Sequence, residues 1–142
     1  MMENEICTLF VYGSLRQGFQ NPAYEYISRY FTFVSHAKAK GKLYNLGSFP
    51  AAQATEDEAY IIGELYQVTN PAEFNWAIAQ IDDYEGLVVE AGETPLYRRD
   101  QTQVLLEDGS SVIAWVYWYN GDVSGKPVIP SGDILAYLKE QQ

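Results

Sequence analysis

The segment Val112-Ile113-Ala114-Trp115-Val116-Tyr117-Trp118-Tyr119 narrows the possible folds more than any other part of the chain. Apart from Ala114, its residues are β-branched or aromatic and favour extended backbone. It has no polar alternation, so a strand made from it is apolar on both faces. Such a strand belongs at the centre of a fold, with apolar cover above and below. Leu96–Leu106 precedes it across Glu107-Asp108-Gly109-Ser110, and the two runs predict a hairpin around that turn.

Other runs supply partners for this pair. Cys7–Tyr12 reads as a buried strand followed by a sharp turn at Gly13. Phe31–His36 is β-rich, Lys38–Tyr44 can continue as a second extended segment, and Asn45-Leu46-Gly47 is a turn signal. Tyr60–Val68 reads as a strand with Gly63 inside it, which marks a bulge or a close backbone approach. Asn21-Pro22 opens a short helix reaching about Arg29. Asn70 and Pro71 open a better-marked one, with Glu73 completing a box-like arrangement. There Phe74, Ala77, Ile78, Ile81 and Tyr84 recur at helical spacing, and Gly86 is a natural terminator. Ser131 can cap a last helix, from Asp133 to about Glu140. About five or six strands with two or three helices, not strictly alternating, predict an α+β fold with a largely antiparallel or mixed sheet. The 142 residues show no repeats or linkers, so residues 1–142 are expected to form a single domain.

Charge and residue scarcity exclude several functions. The formal charge is −10, with nine Lys and Arg against nineteen Asp and Glu. Such a chain is a poor ligand for nucleic acid and for anionic membranes, because both need clustered cations. One cysteine, Cys7, allows no internal disulfide and fits a reducing compartment. No apolar run approaches the roughly 20 residues that span a bilayer. The start, Met1-Met2-Glu3-Asn4-Glu5, is acidic and unlike a signal peptide, so a cytoplasmic location is expected. One histidine, His36, and one cysteine cannot make the usual His/Cys zinc site within one chain. Carboxylates are the abundant acid/base candidates.

Glu85 stands out among them. It falls in the last turn before Gly86, where the helix dipole repels negative charge. Burial among aromatic rings would also make its carboxyl harder to ionise.

Leu9-Phe10-Val11-Tyr12-Gly13-Ser14-Leu15, followed by Gly18 and Asn21, resembles the opening signature of the γ-glutamylcyclotransferase-like family, a strand running into a Tyr-Gly-Ser/Thr-Leu loop. Ile81-Asp82-Asp83-Tyr84-Glu85-Gly86 is similar to that family's second signature. Tyr97-Arg98 and the aromatic strand ending at Tyr119 are similar to later features, in the same order. The resemblance implies a small mixed, mostly antiparallel β-barrel flanked by two or three helices, with a cavity. It also implies an enzyme that, with no metal or organic cofactor, releases 5-oxoproline and a free amine or amino acid from a γ-glutamyl compound. The small-molecule substrate's own α-amine attacks its γ-carbonyl.

These residues suit such chemistry. The nucleophile resides in the substrate, so no Ser-His-Asp triad is needed. Holding the glutamyl group curled contributes several kcal/mol through effective molarity. Tyr12, Gly13, Ser14 and Leu15 can form a concavity of backbone N–H groups that binds a carboxylate or, alternatively, polarises the γ-carbonyl. Glu85 can take the amine proton and pass it to the leaving nitrogen, as general acid/base catalysis requires. Arg16 and Arg98 are candidate helpers against the protein's overall negative charge, and Tyr84 and Tyr119 candidate lining residues.

Blander assignments cover the rest. Cys7 reads as a small buried hydrophobe, His36 as structural or surface, and the Trp115–Tyr119 stripe as core. Asp82 and Asp83 read as solvent-facing or capping groups. The acidic loop Val88–Thr94 follows Glu85 directly, and such loops often set substrate choice. A rival reading is a non-catalytic barrel binding a small carboxylate-bearing metabolite or a protein partner. It would use the same loop, with Glu85 dispensable.

Overall fold

The computed structural model describes residues 6–12, 23–46, 50–84, 97–129, 131–133 and 137. Its elements are β1 (Thr8–Val11), α1 (Ala23–Tyr30), β2 (Phe31–Asn45), β3 (Pro50–Ala54), β4 (Tyr60–Val68), α2 (Phe74–Tyr84), β5 (Tyr97–Leu106) and β6 (Ser111–Tyr119). A single 3₁₀ turn, Pro71–Glu73, leads into α2. Asn70 caps it as expected, its side chain accepting from the Ala72 N–H at 3.1 Å.

The strand order is β3-β2-β4-β1-β6-β5, and β5 pairs back onto β2. Ala37–Ala39 of β2 face Val104–Leu106 of β5, which closes five strands into a small barrel. All pairings are antiparallel except β1 with β6, which run parallel with Leu9 opposite Trp115. β3 lies outside the ring, on Gly41–Asn45 of β2. The fold is therefore the mixed, mostly antiparallel barrel with flanking helices that the family resemblance implies, and it bears out the α+β class read from the residues.

Two features differ from the sequence reading. Phe31–His36 and Lys38–Tyr44 are one continuous strand of 15 residues. It serves three partners in turn, and a bulge between Phe33 and Ser35 bends its first part. Pro50–Ala54 gives no sequence signal as a strand, being Pro followed by Ala and Gln residues, yet it pairs with β2. Gln53 fastens it by donating to the carbonyls of Tyr119 and Gly121, at 3.3 and 2.8 Å.

The period-2 alternation of the strands divides the core in two. Phe10, Ile61, Leu65, Val116 and Trp118 fill the barrel. Val11, Tyr66 and Tyr117 point outwards and are covered by Ile27 of α1 and by Phe74, Ile78 and Ile81 of α2. β6 is buried on both faces, as its composition demands. Gly63 of β4 marks a close approach: a Cβ there would stand 2.8 Å from the Phe10 ring and nearer still to the Val11 carbonyl oxygen. Cys7 is half-buried against the outer core, and His36 is exposed. The expected last helix lies largely outside the described residues; within them, Asp133 N–H donates to Ser131 Oγ at 3.2 Å. Among the described residues, no helix is long and apolar enough to cross a membrane.

Candidate active site

The site expected from the sequence begins at the ends of β1 and α2. β1 carries its alternation one residue further, into Tyr12, whose ring is buried inside the barrel. The Tyr12 hydroxyl donates to the backbone carbonyl of Tyr117 in a short hydrogen bond. Gly13, Ser14 and Leu15 lie outside the described residues, as do Arg16, Glu85 and the loop Val88–Thr94.

The end of α2 is held from the opposite side of the same strand. Tyr117 sends its ring outwards, and its hydroxyl donates to Asp82 Oδ1 at 2.8 Å. Arg99 of β5, paired in register with Tyr117, donates to both oxygens of Asp82, Nε at 2.7 Å and Nη2 at 3.1 Å. This two-pronged geometry is the stronger form of ion pair. The side chains of Asp82 and Arg99 are only 16% and 22% exposed. Arg99 also lies over the Trp115 ring, its guanidinium carbon 4.5 Å from the centroid. Trp115 in turn donates to the Ile6 carbonyl at 2.9 Å.

Asp82 is thus neither a solvent-facing nor a capping group. Its partners come from strands some 17 and 35 residues away, so no local pattern announces the pairing. Arg98 is not part of this cluster. It stands on the other face of β5 and pairs with Asp100 at 2.8 Å in solvent. Tyr119 packs edge-on against Tyr97, ring centroids 5.8 Å apart.

Glu64 of β4 is a further carboxylate here, which the sequence reading absorbed into an apolar strand. It is 2% exposed, the one buried carboxylate or cation among the described residues. Its neighbours across the sheet are Val11 of β1 and His36 of β2. Tyr66, two residues on and on the same face, donates to Glu64 Oε1 at 2.9 Å. A signal was available: Glu64 is the single charged residue in Tyr60–Val68 and occupies a period-2 position shared with Tyr66 and Val68. Together these groups form a band over the outer barrel face, Glu64 beside β1 and Tyr117, Arg99 and Asp82 beyond it. One hollow, of about 290 Å³, lies between Gly41, Tyr60 and Gly132.

Chemically, the band joins two strand ends and one helix end through groups that hold direction. Tyr117 is common to both tethers, its carbonyl taken by Tyr12 and its hydroxyl by Asp82. The two motifs carrying the sequence resemblance therefore leave from points fixed on one residue.

Comparison with known proteins finds relatives in both sequence and fold. The family described as "Gamma-glutamyl cyclotransferase, AIG2-like" matches residues 9–136. A protein of Methanocaldococcus jannaschii that bears the provisional name gamma-glutamylcyclotransferase is 31% identical over 131 residues, covering 91% of this chain and 96% of its own. The gamma-L-glutamyl-butirosin B gamma-glutamyl cyclotransferase of Niallia circulans is 29% identical over 114 residues, covering 80% and 67%. In fold, the chain is similar to YkqA of Bacillus subtilis, with a TM-score of 0.68 and 24% identity. That match covers 97% of this chain but only 44% of YkqA.

Proposed function

Because the chain belongs to the gamma-glutamyl cyclotransferase, AIG2-like family, we propose that it releases 5-oxoproline and a free amine or amino acid from a small γ-glutamyl compound. The family itself supports a cyclotransferase-type reaction. In the proposed reaction the glutamyl α-amine attacks its own γ-carbonyl carbon. A carbon–nitrogen bond forms to close the five-membered ring, and the bond to the leaving nitrogen breaks. Glu85 removes a proton from the attacking amine and delivers it to the departing nitrogen, so no proton is gained or lost overall. Tyr12, Gly13, Ser14 and Leu15 cradle the glutamyl group, keeping the amine near its target. Backbone N–H groups are suited to this in an acidic protein, because they attract anionic oxygen without a basic side chain.

The observation that most supports this reading is the double tether on Tyr117, which holds Tyr12 and Asp82 to a single residue. Glu85 follows Asp82 by three positions, and the cradle begins at Tyr12. A reducing, cytoplasmic setting suits a chain with one cysteine. The name of the Niallia circulans relative specifies a γ-L-glutamyl substrate, which supports the same substrate class here.

The test is incubation of purified protein with γ-glutamyl dipeptides and γ-glutamyl-lysine, with 5-oxoproline quantified. Release from at least one substrate is expected. A ligand-induced thermal shift with no 5-oxoproline from any of them would instead favour a binding barrel.

A further inference from the structure

We propose that the hollow between β2, the start of β4 and residues 127–129 and 131–132 binds a small organic carboxylate, with its anionic head on Lys38 and its apolar part on Ile62 and Val128. This site shares no residue with the one assigned above to the reaction.

The charge comes from β2. Its period-2 alternation turns Ala37, Ala39 and Leu43 into the barrel and Lys38, Lys40 and Lys42 outwards. Cations thus gather on one strip of a chain whose net charge is −10. Two of the three are already matched, Lys40 by Glu58 at 3.3 Å and Lys42 by Asp57 at 2.8 Å. Among the described residues, Lys38 has no carboxylate in ion-pairing range. Its ammonium instead lies over the Tyr60 ring, 4.6 Å from the centroid, and both residues line the hollow.

The rest of the lining sets the kind of anion. The walls are tied by backbone bonds: Ile129 N–H donates to the Leu43 carbonyl at 2.7 Å, and Ile62 N–H to the Gly132 carbonyl at 2.8 Å. Gly132, at φ +68°, passes so close that a Cβ would run into the Tyr60 carbonyl oxygen. The hollow is therefore shaped before a ligand arrives, which reduces the ordering that binding requires. At about 290 Å³ it falls at the small end of ligand sites, which run from about 300 to 1,000 Å³. Val128 lines it yet is 46% exposed, so a ligand's apolar part would remove that surface from water. One unmatched cation suits a single negative charge, because a second would face Glu58 on the same wall. The Ser131 hydroxyl, also on the wall, donates at a long 3.4 Å to the Asp133 carbonyl and can rotate towards a carboxylate.

The experiment follows backbone amide shifts by NMR in the full chain, at fixed ionic strength. The probes are hexanoate, hexanol, hexylammonium and inorganic phosphate. Hexanoate should give saturable shifts at Ile62, Ile129 and Gly132. The other three should bind about tenfold more weakly or worse, since each lacks either the single negative charge or the apolar chain. Lys38→Met keeps an apolar stem and should raise the hexanoate Kd about tenfold. Lys126→Met changes the net charge equally, at an exposed position outside the hollow, and should leave that Kd within about twofold. Hexanoate shifts that fail to saturate, or that fall away from these three amides, would overturn the proposal. So would equal binding of any other probe, or equal effects of the two substitutions. The four-probe comparison uses wild type, so it decides the matter even if a variant fails to fold. No turnover is measured, so the result stands apart from the reaction assigned above.

Discussion

Tyr117 and Asp82 are joined at 2.8 Å, phenol to carboxylate, where the central barrel strand meets the last turn of α2. The contact matters because the same tyrosine's carbonyl is held by Tyr12. One residue thus links the exit of β1 to the last turn of α2.

Replacing Asp82 with Asn should break this coupling. Removing one partner of a buried ion pair costs about 3–5 kcal/mol, and of an exposed pair under about 1. Asp82 and Arg99 are partly exposed, at 16% and 22%, so a loss of about 1–3 kcal/mol is expected in urea unfolding. Turnover should fall roughly tenfold or more, because the end of α2 is no longer oriented. A double-mutant cycle with Arg99→Leu should show clear coupling between the two positions.

Two tyrosine-to-phenylalanine changes separate the tethers. Tyr117→Phe removes the bond to Asp82 but keeps the carbonyl that Tyr12 uses, and should cost about 1–2 kcal/mol. Tyr12→Phe removes the other bond and leaves a buried carbonyl without that donor, at a cost of about 1–3 kcal/mol. Each stability change is read from the urea midpoint at constant slope.

Gly63→Ala tests the close passage of β4 over β1. The added methyl meets the Phe10 ring and the Val11 carbonyl, and backbone cannot yield as a flexible side-chain end can. Destabilisation of about 1–3 kcal/mol or more is expected, measured as a lowered Tm.

A pH effect is expected at the surface pair Lys42–Asp57, where the two charges lie 2.8 Å apart. Hydrogen bonding and attraction from Lys42 hold the Asp57 carboxyl below its ordinary value, and Asp57 raises Lys42 above its own. A lowered acid stabilises the fold above the ordinary Asp value of about 3.9, and that contribution is lost as pH falls through the folded value. The raised Lys contributes fully below about pH 10 and loses its contribution as pH rises through its folded value. NMR titration of the Asp57 carboxyl should give a midpoint below the ordinary value. High salt or Lys42→Met should return it towards that value.

How far the fold could be read from sequence depended on how local its signals are. β6 announced itself, because a run apolar on both faces has to be covered twice, and the structure covers Trp118 inside and Tyr117 outside. The start of α2 was equally plain in Asn70 and Pro71. β3 was not legible, since Pro50–Ala54 owes its strand state to pairing with β2 and to the Gln53 anchor rather than to propensity. Asp82 looked solvent-facing because adjacent aspartates usually are. Its partners Arg99 and Tyr117 are distant in the chain and meet it only when β5 and β6 form. Glu64 was hidden for the opposite reason: one polar residue in an apolar strand reads as noise until its burial is known.

The most direct test of the account is the rate of 5-oxoproline release from a γ-glutamyl substrate by wild type and Glu85→Gln. The two should have similar Tm. Wild type should turn over, and the variant should lose about 10²–10⁴-fold in kcat, the usual contribution of a positioned acid/base. Equal rates in the two proteins would contradict the proton-shuttle role of Glu85 and the site built around it.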